Sequence, residues 1–190
     1  LLNVPGILLE NRRVLSRYLG REVLVDFYLP ANVADPSAMS LLILNDGQNM
    51  EEMGFQEILA GLYTGGQIGP LLCAAVHAGT ERKMEYGIAS TPDYLGRGAK
   101  AGDYTSFILE ELLHFIHITY AVPSFPEKAI AGFSLGGLTA RDIAWNHSTE
   151  FSKAGIFSGS VWWGSVDQDE KEYDDNLHRL MHQEIRKGIY

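Results

Sequence analysis

Four short, almost uninterrupted apolar runs punctuate the chain: LLILND (41–46), LLCAAVH (71–77), KAIAGF (128–133) and KAGIFSG (153–159). A strand that is apolar at consecutive positions is covered on both faces, the condition of strands in a parallel sheet. Between the runs lie stretches with the spacing of amphipathic helices: GFQEILAGLY (54–63), DYTSFILEELLHFIHITY (103–120), LGGLTARDIAWNH (135–147) and a last one over 172–187. Parallel neighbours need a crossover, and a helix supplies it. Ahead of them VLSRYLGREVLVDFYLP (14–30) alternates apolar and polar positions on both sides of Leu19-Gly20, which predicts an antiparallel hairpin. The expectation is an α/β chain: a mostly parallel sheet with helices on both faces and an N-terminal hairpin, built as one domain over 1–190.

The formal charge of −9 and a pI near 5.1 speak against a nucleic-acid or anionic-membrane surface and favour a neutral or cationic small molecule. Cys73 is the only cysteine and lies in an apolar run, so no intrachain disulfide forms and a reducing, cytoplasmic setting is expected; a periplasmic or secreted protein whose leader was removed is the alternative. No run reaches the 18 to 20 apolar residues of a membrane span, at about 1.5 Å per residue. The opening LLNVPGILLENRR has neither the basic head nor the cleavage site of a signal peptide, and both ends read as trimmed. Residues 78–102 form a connection too long for an ordinary loop, at the C-terminal end of a strand, where α/β proteins bind ligands.

AGFSLGG (131–137) sets Ser134 between Gly132 and Gly136, where a buried strand gives way to a helix. In a nucleophile elbow that turn is so sharp that only small residues fit two positions either side of the serine. A glycine-rich turn whose serine caps the helix fits the same five residues. The turn after LLILN, Asp46-Gly47-Gln48-Asn49, stands where a serine hydrolase supplies a second oxyanion donor; the amides of Gln48 and Leu135 are the expected pair.

Together, LLILNDGQN (41–49), ERKMEY (81–86), DYTSFILEELLHFI (103–116), AGFSLGGLTA (131–140) and IFSGSVWW (156–163) resemble the putative esterase family of α/β hydrolases over about residues 14–163. That family includes esterase D, enterochelin esterases, feruloyl esterase domains and mycolyltransferases. Ser158-Gly159-Ser160 followed by Trp162-Trp163 is most similar to its enterochelin and feruloyl esterase branch. The resemblance implies an α/β-hydrolase fold, Ser134 as nucleophile, the Gln48 and Leu135 amides as oxyanion hole, a small-molecule ester as substrate, and no metal or organic cofactor. Trp162 and Trp163 either line the substrate pocket or pack beneath the neighbouring loop. Arg82, Glu85 and Tyr86 match a family motif, read as a structural Arg–Glu pair or as substrate contacts.

The chain departs from the family where the triad should close. The expected order is Ser, acid, His, yet only one helix, one strand, a polar loop and a final helix are read after Ser134. His147 lies at the far end of the elbow helix, about 20 Å along it. His178 and His182 share a face of the last helix, and His114 and His117 share a helix with Glu110 and Glu111; all four read as solvated faces. His77 ends a strand on the active-site side but precedes the serine. The acid and base are therefore expected beyond Tyr190, with the C-terminal strands, leaving the 190-residue chain inactive. A non-catalytic binding module, or an acyltransferase using the same serine, are the alternatives.

Overall fold

The computed structural model describes residues 6–31, 33–89 and 91–188; residues 1–5, part of the stretch read for a leader, and Tyr190 lie outside them. Six strands form one sheet in the order β1-β2-β4-β3-β5-β6. β1 (Ile7–Ser16) and β2 (Arg21–Pro30) make the expected hairpin, paired from Ile7↔Pro30 to Ser16↔Arg21, with Gly20 at φ 63° in its turn. β1 begins well before Val14. Its first half hides from a period-two reading because Leu8 and Leu9 are both solvent-exposed, so cross-strand pairing rather than alternation sets its start. β2 runs antiparallel to β4 (Leu71–Val76), whereas β3 (Ser40–Asn45), β5 (Lys128–Phe133) and β6 (Lys153–Phe157) join it in parallel.

Alternate strand residues feed two cores. On one face Tyr28, Leu44, Cys73 and Ala75 meet Leu59 of α1 (Phe55–Thr64). On the other, Phe27, Leu41, Ile43 and Leu72 pack with Tyr104, Phe107, Leu112, Leu138 and Ile143. Those side chains come from α3 (Ala101–Ser106), a π-helical segment Phe107–Leu112 that continues into α4 (Leu113–Thr119), and α5 (Leu135–Asn146). The helices thus lie on both faces, as expected. Cys73 is fully buried, and burial pushes its thiol up, which keeps it protonated and inert. Among the described residues no helix is long and apolar enough to cross a membrane.

Two connections differ from their sequence reading. The single terminal helix is two, α6 (Asp175–His178) and α7 (Leu180–Lys187), broken at Arg179, whose ψ of 100° is extended. Tertiary pairing outweighs helical propensity there: Arg179 bridges to Gly164, with Ser165 N donating to His178 O and Leu180 N to Trp163 O. His178 and His182 therefore belong to separate helices. Residues 78–102 carry a short helix, α2 (Arg82–Glu85), and are tied to α5: Gly87 N donates to Thr139 Oγ1 and Ala89 N to Asp142 Oδ2, each at 2.9 Å.

Asp142 is almost wholly buried, and that burial raises its pKa from 3.8 to about 6. A carboxyl that binds its proton more tightly folded than unfolded stabilises the fold below pH 4, and loses that contribution as pH rises toward 6. The expected fall is about 2–3 kcal/mol. Urea melts from pH 4 to 7 check this: Asp142→Asn, which keeps an acceptor for Ala89, flattens the fall.

Candidate active site

Ser134 lies between β5 and α5, with φ 53° and ψ −119°. A residue with a Cβ holds such a backbone only when its surroundings impose it, at a cost of about 1–3 kcal/mol. The imposing contacts are specific. Ser134 N donates to Phe157 O at 2.9 Å, which ties the turn to the end of β6, and Ser134 O accepts from Ser160 N at 3.0 Å and from the Gly137 and Leu138 amides of α5 at 3.1 Å. The side chain is left exposed to solvent.

The glycines flanking the serine are there for space. A Cβ on Gly132 would lie 2.5 Å from the backbone C and O of Gly136; one on Gly136 would lie 2.8 Å from Asp46 Oδ2. Strand end, helix start and the turn after β3 are thereby in contact. Gly132 and Gly136 thus leave the room that a tight strand-to-helix turn needs.

That turn carries the second element of the site. Asp46 adopts the left-handed conformation (φ 63°, ψ 47°), which short Asp side chains tolerate, and opens a 3₁₀ turn over Gly47–Asn49. The bonds of this turn run from Asn49 N to Asp46 O and from Met50 N to Gly47 O, so the Gln48 amide sits in its first positions, outside those bonds. Leu135 is the first residue of α5, whose leading amides likewise have no partner within the helix and carry its positive dipole end. A polar network holds the two amide-bearing turns together. Asn45 Nδ2 donates to Gly136 O (2.8 Å), Tyr104 Oη to Asn45 Oδ1 (2.7 Å), and Asp46 N to Tyr86 Oη (3.1 Å). Arg82 grips Asp46 with Nε and Nη2 at 2.6 and 2.7 Å. Burial pushes both phenols up, so Tyr86 and Tyr104 stay neutral donors and acceptors.

Of the two readings of Arg82 and Glu85, a mutual pair or substrate contacts, the mutual pair does not form among the described residues. Arg82 takes Asp46, while Glu85 takes Arg21 in a second two-bond pair at 2.9 and 2.6 Å. Neither partner was legible, because Asp46, in the turn after β3, and Arg21, at the start of β2, are both remote in sequence. Trp162 and Trp163 part company. Trp162 is 38% exposed with the Arg97 guanidinium 5.0 Å from its ring centroid; Trp163 is wholly buried. The Trp163 indole donates to Thr91 O (3.0 Å) and packs against Gly87 and Gly98, so it holds the long loop and offers no surface to a ligand.

Ser160 is a neighbour that the sequence reading did not single out. It is 3% exposed and its Oγ lies 3.3 Å from Ser134 Oγ. The signal was its place in the SGS tripeptide directly after β6. Of the histidines, His77 binds Asp26 (Nε2 to Oδ2, 2.6 Å), His117 holds Val122 O through Nδ1 (2.5 Å), and His147 follows the last turn of α5. None of these bonds reaches Ser134.

The family model described as "Putative esterase" matches residues 16–190, and the chain belongs to that family. Solved structures share its α/β-hydrolase fold. The enterochelin esterase from Shigella flexneri is 19% identical with a TM-score of 0.74, over 96% of this chain and 42% of that one. The BES protein from Bacillus cereus is 22% identical, TM-score 0.70, over 82% of this chain and 62% of that one. A ferulic acid esterase is 20% identical, TM-score 0.65, over 83% and 62%. The chain thus spans less than two thirds of these solved chains. No curated protein matches it.

The two tryptophans give a paired test. Trp163→Ala removes a buried indole and is expected to cost about 3–5 kcal/mol of stability. Trp162→Ala, which loses the Arg97 contact at a partly exposed position, should cost less, about 0.5–1 kcal/mol. Chemical denaturation of both variants measures the difference.

Proposed function

We propose that the protein is a carboxylic-ester hydrolase working through an acyl-enzyme on Ser134. The observation that carries this reading is the exposed Ser134 hydroxyl on a strained elbow whose far side is locked against the turn after β3. Ser134 Oγ attacks the ester carbonyl carbon and its proton passes to a base; the carbonyl oxygen takes the negative charge, and the amides of Gln48 and Leu135 receive it. The alcohol leaves with a proton, and water repeats the sequence on the acyl-enzyme to release the acid. Asp46 and Arg82 act at one remove, fixing the turn that presents Gln48.

The base and its acid partner are residues outside 1–190, on the β6 side of the elbow. Supporting this, the histidine bonds described above all lead elsewhere. β6 also keeps Ile156 44% and Phe157 51% exposed, beside an apolar trough of about 640 Å³ lined by Leu44, Met53, Phe133 and Phe157. The proposed substrate is a small-molecule ester, with a feruloyl-type or siderophore ester as the finer choice, met at the alcohol or acyl side by Trp162.

A fluorophosphonate probe followed by peptide mapping tests the reading. Full-length protein should be labelled at Ser134 and should hydrolyse p-nitrophenyl acetate, both lost in Ser134→Ala. Residues 1–190 alone should turn over slower by a factor on the order of 10³ or more, the scale of a missing triad base. Full-length protein left unlabelled at Ser134 would favour a non-catalytic binding module; enzyme-like turnover by 1–190 would refute an external base.

A further inference from the structure

α5 is buried at every position from Leu135 to Ile143, and one of those positions is Arg141, 6% exposed. A guanidinium stays charged at any ordinary pH and carries five N–H donors, so it is seldom buried without partners. Arg141 has a partner on one side, where Nη1 donates to Glu184 Oε2 of α7 at 2.5 Å. Nε and Nη2 carry three N–H donors between them; both atoms are hidden from solvent and have no hydrogen-bond partner among the described residues. The neighbouring carboxylate does not help. Asp142 accepts from Ala89 N through Oδ2 and from Asn146 Nδ2 through Oδ1.

A buried donor without an acceptor marks a place where a partner belongs, and Arg141 also lines a cavity. Between the second half of α5, β6 and α7 lies a space of about 550 Å³, walled by Arg141, Ala144, Trp145, Phe151, Ile156 and Ile185. The Trp145 ring, one helical turn on, has its centroid 4.7 Å from the guanidinium carbon and holds the plane of the group. Lys153 borders the same space, but its ammonium donates to both oxygens of Glu127, at 2.9 and 2.8 Å. Nε and Nη2 are therefore the buried cationic donors still to be met there.

Their arrangement selects the ligand. Nε and Nη2 form one edge of the guanidinium, whose parallel N–H groups match two oxygens of a carboxylate or a phosphate. Water does not reach this edge, so an oxygen that does must leave its hydration behind. Apart from Ser148, Ser152 and Lys153 the lining is apolar, and Trp145 and Ile156 keep part of their surface exposed. Such a wall suits a hydrocarbon body and not the remaining charged oxygens of a phosphate.

We propose that this cavity binds a monocarboxylate with an apolar body, its oxygens taken side-on by Arg141 Nε and Nη2 and its body covered by Trp145 and Ile156. The site is independent of the esterase reading and does not use Ser134, which lies about 10 Å back along α5.

Isothermal titration calorimetry of the full-length protein with 3-phenylpropanoate at constant ionic strength tests the proposal, with 3-phenylpropanol as the neutral match and inorganic phosphate as the hydrated anion. Saturable binding of the carboxylate is expected, at least about tenfold tighter than either control. Arg141→Lys, which keeps the charge and loses the fork, should weaken it about tenfold. Glu184→Gln keeps an acceptor for Nη1 and removes the competing charge, so it should tighten binding several-fold; a ligand held elsewhere would not respond. That variant leaves Arg141 in place and decides the matter should Arg141→Lys fail to fold. Ser134→Ala should leave binding unchanged. No saturation by about 10 mM, equal binding of the alcohol or of phosphate, loss of binding in Ser134→Ala, or an affinity unmoved by Glu184→Gln would each overturn the proposal.

Discussion

The backbone at Ser134 is the constraint from which the rest of the structure around the site follows. A φ of 53° at a residue with a Cβ is unfavourable in isolation, so three separate elements must hold it: β6 through Phe157 O, the loop after β6 through Ser160 N, and α5 through the Gly137 and Leu138 amides. Each hold depends on a close approach. Gly137 approaches Gly132 O and the Gly159 backbone so nearly that a Cβ there would stand 2.9 and 3.3 Å from them. Ser158, two residues before Ser160, also has positive φ, at 47°, so strain is placed on both sides of the contact between β5 and β6. The pairing of these strands and the exposure of the hydroxyl are parts of one arrangement.

The second constraint is electrostatic. Asp46 sits with a side chain only 2% exposed against the elbow, and a buried carboxylate there is tolerable because Arg82 meets both oxygens. A pair of this kind contributes little net stability compared with an apolar filling, but losing one partner leaves the other charge buried and costly. Its effect is positional. With Asn45 on Gly136 O and Tyr86 on the Asp46 amide, the turn bearing Gln48 keeps one register relative to α5. Residues 78–102, the longest connection, supply Arg82 and Tyr86, which explains a loop of that length in a compact α/β chain better than mobility does. Trp163 pins the same loop from the β6 side.

Local signals carried much of this. Consecutive apolar runs gave β3 to β6, since residues covered on both faces have no reason to alternate, and the glycine spacing at 132 and 136 gave the elbow because its steric demand is local. The break at Arg179 was not legible: 172–187 is helical in pattern, and the bonds that divide it come from Gly164 and Trp163, on a loop the pattern does not see. Arg82 shows the same limit. A motif of six residues makes Glu85 its obvious partner, whereas the fold brings Asp46 from the end of another strand, and only a contact formed on folding chooses between them. Of two adjacent tryptophans, sequence cannot tell which faces in. Consecutive side chains in an irregular segment follow no period, and the glycines that admit Trp163 lie at 87 and 98.

The order of the strands gives the elbow two unlike flanks. Ser134 stands at the C-terminal end of β5, between β3 and β6. The β3 side is filled by Asp46, Gly136 and the buried Tyr86 and Tyr104, a network whose groups already satisfy one another. The β6 side is different in kind. Its hydroxyl neighbour is Ser160, its outermost strand exposes Ile156 and Phe157, and the adjoining trough is apolar. Apolar surface of this extent is where packing occurs in a soluble protein, while a satisfied polar network resists insertion of another group. On the proposed reading, a base for Ser134 would approach past β6. On the same reading, the Gln48 amide comes from the turn after β3 and the Leu135 amide from the start of α5, so that the oxyanion donors and the base would act on the carbonyl from different elements.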